Sequence, residues 1–144
     1  MEADVRHLYV HVPFCATICP FCSFHVVPRR ADLVERYLTR FDTTAATVAG
    51  TVTNRLDTVY LGGGTPSILR PDEIEGLLGS VRRHLPVATD AEITLEANPG
   101  TFEKDRFKAF RQAGVTRLSI GVQSFHDAHL KALGRVHDRA QAMA

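Results

Sequence analysis

Apolar residues in this chain fall by turns on a two-residue period and on a helical one, and the alternation runs the whole length. Leu8-Tyr9-Val10-His11-Val12 alternates as a strand does. Leu33, Val34, Tyr37, Leu38, Phe41, Ala45 and Val48 follow helical spacing, and Gly50 is placed to end that helix. Thr58-Val59-Tyr60-Leu61 is a second strand, stopped by Gly62-Gly63-Gly64. Pro71 suits the first turn of a second helix, Asp72 and Glu73 favour its N-terminus, and Ile74, Leu77, Leu78, Val81 and Leu85 form its apolar stripe. Residues 92–96 make a third strand and Asn98-Pro99-Gly100 a turn. Thr101 is placed to cap a third helix that carries Phe107 and Phe110 and stops at Gly114. Residues 117–122 form a fourth strand, followed by a short helical stretch over 127–133.

This β-α-β-α-β-α-β-α order implies parallel strands joined by right-handed crossovers. Doubly wound sheets and barrels both satisfy it. Strands buried on both faces read as near-continuous apolar runs. Here Leu8, Val10 and Val12 alternate with Tyr9 and His11, and Ile93 and Leu95 with Glu92, Thr94 and Glu96. Leu118, Ile120 and Val122 alternate with Arg117, Ser119, Gly121 and Gln123. One face of each strand is thus expected to pack on helices while the other lines a wet, ligand-holding lumen. A sheet with one exposed face satisfies the same pattern. A full β/α barrel takes about 250 residues, and this chain has 144. The expectation is an α/β fold, four βα units forming the N-terminal portion of a partial barrel, with residues 117–122 as an open edge prone to association.

Lys plus Arg number 17 against 16 Asp plus Glu. A net charge of +1 provides no field to steer nucleic acid or an anionic membrane. The apolar stretch from Leu8 to Val27 contains Pro13 and Pro20 and does not read as a spanning helix. Glu2 and Asp4 stand where a signal peptide carries basic residues, so a cytoplasmic protein is expected.

All three cysteines lie within Cys15-Ala-Thr-Ile-Cys19-Pro-Phe-Cys22, directly after the first strand. An odd, closely spaced set is no disulfide scaffold and points to metal or redox chemistry. Three thiolates at this spacing suit an iron–sulfur cube with one iron left without a protein ligand. Zinc would need His25 or His11 as a fourth ligand. Three buried apolar cysteines are the remaining reading. The place at the C-terminal end of a first strand, where barrel active sites sit, favours function.

Cys15-x3-Cys19-x2-Cys22 resembles the cluster motif of the radical S-adenosylmethionine superfamily. More narrowly, Tyr9-Val-His-Val-Pro-Phe-Cys15, Gly62-Gly-Gly-Thr-Pro-Ser67, Glu96-Ala-Asn-Pro-Gly100, Arg117-Leu-Ser-Ile-Gly-Val-Gln-Ser-Phe125 and Gly134-Arg-Val-His137 resemble one branch of it. That branch holds the oxygen-independent coproporphyrinogen III oxidases and their relatives, the HemW haem chaperones. The resemblance implies that Cys15, Cys19 and Cys22 hold a [4Fe-4S] cluster whose open iron chelates S-adenosylmethionine. One electron would then cleave the sulfonium and yield a 5′-deoxyadenosyl radical that abstracts hydrogen. It also implies haem or a porphyrinogen as the molecule handled, a cytoplasmic electron donor, and haem-accepting partner proteins for a chaperone.

By position in these motifs, Tyr9, Phe21, Gly63, Gly64, Thr65, Glu96, Gln123 and Arg135 are the expected S-adenosylmethionine contacts. Glycines let a backbone approach a ligand closely, and Phe21 is placed to pack on an adenine ring. Plainer roles exist: Glu96 as a partner of Arg117, Arg135 as a solvated helix residue, Tyr9 as ordinary barrel packing. His126 and His129 share a helical face, which usually means exposure. The coproporphyrinogen oxidases carry a further cysteine two residues after the third ligand, where this chain has Phe24. Phe24 resembles the HemW branch. The readings left are therefore a haem chaperone, an oxidase that decarboxylates two propionates to vinyl groups, and a truncated non-catalytic metal-binding fragment.

Overall fold

A computed structural model of the chain describes residues 4–99 and 104–143. Thr101, the expected cap, lies outside the described residues. Four parallel strands form one sheet: β1 (His7–Val12), β4 (Leu56–Gly63), β5 (Val87–Ala97) and β6 (Arg117–Ile120), hydrogen-bonded in the order β1-β4-β5-β6. Between them run α1 (Ala31–Val48), α2 (Pro71–His84) and α3 (Lys104–Ala113). The spatial order follows the chain order without reversal. That is the arc of a barrel, because a doubly wound sheet reverses direction at a switch point.

The helices cover one face, α1 against α2 and α2 against α3. Beneath them Val10, Val12, Val59, Leu61, Ile93 and Leu95 meet Val34, Ile74, Leu77, Leu78, Val81 and Phe110 in a single core. The other face presents a ladder of polar and aromatic side chains. Tyr9 lies opposite Tyr60, Tyr60 opposite Thr94, Thr94 opposite Arg117, and Glu96 opposite Ser119. The expected split between a helix-covered face and a polar lumen face holds.

Four details differ from expectation. The third strand begins at Val87, not 92, and its register with β4 shifts between Leu56 and Thr58. The fourth strand ends at Ile120, because the chain turns at Gly121 and Val122 and leaves Ile120 47% exposed. The first helix ends at Val48, and Gly50 sits inside a following 3-10 turn (Ala49–Thr51). Three further elements carried no periodic signal: β2 (Phe14–Cys15) and β3 (Val27–Pro28), which form a small parallel pair, and α5 (Arg139–Met143), which follows α4 (Asp127–Ala132). The β2–β3 pair closes the base of the cysteine loop, with Val27 N–H donating to the Pro13 carbonyl and Arg29 N–H to that of Cys15. No described helix is long and apolar enough to cross a membrane.

Candidate functional site

The cysteine loop leaves the C-terminal end of β1 and folds over the ends of β4, β5 and β6. Its position is fixed by backbone pairing: Gly64 N–H donates to the Val12 carbonyl and Thr65 N–H to the Phe14 carbonyl, at 2.9 and 2.8 Å. The approach is close enough to require glycine at position 64, where a Cβ would lie 2.7 Å from the Phe14 carbonyl oxygen. Gly63, with φ of 113°, occupies backbone space that other residues rarely adopt. Under the loop lies an open cavity lined by Cys15, Cys19 and Cys22 on one side. Gly63 and Glu96 line it from strand ends, Gly64, Thr65 and Gln123 from the turns beyond β4 and β6, and Arg135 from the segment after α4, while Phe21 and Phe24 line it from the loop and are exposed.

Ten of the eleven residues singled out in the sequence thus share one cavity. Tyr9 does not line it. Tyr9 is 55% exposed, and its ring stacks on Tyr60 at 6.0 Å between centroids, one layer down the lumen face. Burial, helped by the charge of Glu96, pushes the Tyr9 phenol up.

Glu96 is not a partner of Arg117. Its Oε1 accepts the Tyr60 hydroxyl at 2.7 Å and its Oε2 the Gly63 N–H at 3.0 Å. Arg117 instead reaches Glu92 and Thr94, nearer the start of β5. Nor is Arg135 a solvated helix residue. It lies between α4 and α5, where one Nη donates to Asn98 Oδ1 at 2.8 Å and to the Gly121 carbonyl at 2.7 Å. The other Nη lies 3.5 Å from Cys19 Sγ, and its buried Nε has no partner among the described residues.

Asn98 was missed as a site residue, because Asn98-Pro99 reads as a turn. Its Nδ2 donates to Thr65 Oγ1 at 3.0 Å, which leaves the Thr65 proton free for Cys15 Sγ at 3.7 Å. A continuous path therefore runs from Cys15 through Thr65, Asn98 and Arg135 to Cys19. Burial pushes the Cys15 thiol up, and the Thr65 hydroxyl partly opposes that shift. Ser119, also on the lumen face, lines the cavity and reaches Tyr60.

Neither histidine that zinc would need is in place. His11 donates through Nε2 to the His25 carbonyl at 2.8 Å and accepts from Tyr9 through Nδ1, and neither His11 nor His25 lines the cavity.

The sequence model of the radical SAM superfamily matches residues 9–144. The chain belongs to that superfamily. Within this radical SAM group it is 46% identical over 141 residues to the heme chaperone HemW of Escherichia coli strain K12, covering 94% of this chain and 36% of that protein. It is 37% identical over 140 residues to the oxygen-independent coproporphyrinogen III oxidase of Bradyrhizobium diazoefficiens, covering 95% of this chain and 31% of that one. The solved structure of coproporphyrinogen III oxidase HemN from Escherichia coli superposes with a TM-score of 0.86 at 30% identity, over 98% of this chain and 33% of that one. The chain spans about a third of the length of these relatives.

Proposed function

We propose that this radical SAM chain binds a [4Fe-4S] cluster through Cys15, Cys19 and Cys22, holds S-adenosylmethionine beside it, and serves a HemW-like haem chaperone. The observation that carries the reading is the shared cavity, with thiols on one wall and an acid, an amide and close-packed glycine backbone on the other. The donor set fits such a group. A cube takes its thiolates at separate iron corners, so the three sulfurs need not converge on one point, and no single-ion group of three ligands occurs among the described residues.

When bound, the pair supplies one-electron cleavage of the sulfonium. The chain's own residues do the positioning. Glu96 is held in the cavity wall by Tyr60 and Gly63, one bond to each oxygen, and a carboxylate so placed keeps accepting capacity suited to an ammonium or ribose hydroxyls. Gly63 and Gly64 line the cavity with backbone, and Gln123 offers an amide from the turn that follows β6. Arg135 brings positive charge to the thiolate wall. Phe21, exposed on the loop, gives a flat apolar surface for a base. Tyr9 acts one layer below, through its stack on Tyr60.

Phe24 favours chaperone over oxidase. It lines the cavity and is 65% exposed, in the place where a further thiol would otherwise face the bound molecules. In the protein carrying this chain, reconstituted without oxygen, haem addition is expected to give a stable Soret band. Coproporphyrinogen III with S-adenosylmethionine and a reductant is expected to stay intact by mass spectrometry. Appearance of vinyl products would overturn the chaperone reading in favour of the oxidase.

A further inference from the structure

Gln123 has φ of 71°, the only described non-glycine residue in the left-handed region. Ser124 N–H donates to the Val122 carbonyl at 2.9 Å, so Gln123 is the centre of a γ-turn of the rare, strained kind. Such a conformation persists only where the surroundings hold it.

The holding groups come from the segment after α4. Gly134, with φ of 67°, reverses the chain there, and Arg135 N–H closes the reversal on the Leu130 carbonyl. Arg135 and His137 are two residues apart and reach neighbouring carbonyls, Arg135 that of Gly121 and His137 Nε2 that of Val122 at 3.0 Å. The intervening Val136 is 72% exposed, whereas His137 is buried at 4% exposure. A carbonyl only accepts, so His137 Nε2 carries the proton.

We propose that His137 is a positioning residue for Gln123. By donating to Val122, the residue just before the strained position, it fixes the turn that presents the Gln123 amide to the cavity. The inference rests on the reading that Gln123 contacts S-adenosylmethionine.

The test measures S-adenosylmethionine affinity by equilibrium dialysis on anaerobically reconstituted protein, with iron content read on the same samples. H137L removes the donor, and a loss of about tenfold in affinity is expected at unchanged iron content. H137Q places an amide N–H near the imidazole Nε2 position and should stay within about threefold of the parent. Wild-type affinity in H137L, or equal losses in H137L and H137Q, would overturn the proposal, the second because packing alone would then explain the effect. If H137L fails to retain iron, H137Q and H137N carry the test. Both are polar amides, but Asn is too short to reach Val122, so H137N should bind about tenfold more weakly than H137Q, and equal affinities would contradict the account. Q123A distinguishes the premise. If Q123A binds as the parent does, the assignment of Gln123 fails, whereas a weak Q123A beside an unaffected H137L removes only the role of His137.

Discussion

Arg135 and Cys19 are 116 positions apart, yet an Nη of the first lies 3.5 Å from the Sγ of the second. The same guanidinium holds Asn98 at the end of β5 and Gly121 just beyond β6. One side chain thereby ties the cysteine loop to the ends of two strands, and Asn98 extends the tie through Thr65 to Cys15. The planar fork of arginine serves several directions at once, which an ammonium on a flexible stem cannot do.

R135L should therefore loosen the cysteine loop. Hydrogen bonds from a charged group are worth about 2 kcal/mol, so iron release to a chelator is expected to quicken by about thirtyfold. R135K should restore little of it. Release at the parental rate in R135L would show that Cys19 does not depend on this contact.

The base of the loop is anchored separately. Glu73, buried at the start of α2, takes Arg29 at 2.9 Å and also accepts the Arg70 N–H at 2.7 Å. Arg29 in turn donates its backbone N–H to Cys15. E73A strips the mostly buried Arg29 of its counter-charge and the helix of an N-terminal acceptor. Urea unfolding of the metal-free chain is expected to show a loss of about 3 kcal/mol. E73Q should lose less, because it keeps an acceptor for Arg70.

In the metal-free chain the three thiols should not react alike. Cys15 is buried and its thiol is pushed up by that burial, while Cys19 and Cys22 are half-buried. The thiolate is the reactive form, so near-neutral alkylation should spare Cys15 longest, as read by peptide mass spectrometry. The sign of the linked stability follows. Above the ordinary thiol range an unfolded Cys15 loses its proton while the folded one keeps it, so stability of the metal-free chain should fall as pH rises through that range. Equal labelling of all three would contradict the buried placement of Cys15.

Much of this was readable from periodicity and spacing. The four strands and their helices announce themselves because alternate residues such as Val10, Val12, Ile93 and Leu95 are buried under helix stripes such as Ile74, Leu77 and Leu78. The extra length of β5 was not readable, since Thr89 and Asp90 are exposed and polar and most of that stretch lies across the register shift. Apolar alternation also runs on through Val122, yet the strand stops at Ile120. The carbonyls of Gly121 and Val122 are taken by Arg135 and His137, and a contact from more than ten residues away leaves no local periodic trace. Asn98 was hidden differently: as a turn former before Pro99 it looked fully explained by local structure. The cysteines and Glu96 were legible through their motifs and their places at strand ends, and Gln123 through its motif alone, because the strand expected to carry it stops at Ile120; the bonds between these elements needed the fold.

The most direct test of the central claim is anaerobic reconstitution with iron and sulfide, followed by electron paramagnetic resonance of the reduced protein before and after S-adenosylmethionine is added. The account requires about four irons per chain, loss of the cluster in C15A, C19A or C22A, and a change in the signal when S-adenosylmethionine binds the open iron. Stoichiometric zinc without iron, or a cluster signal indifferent to S-adenosylmethionine, would contradict it.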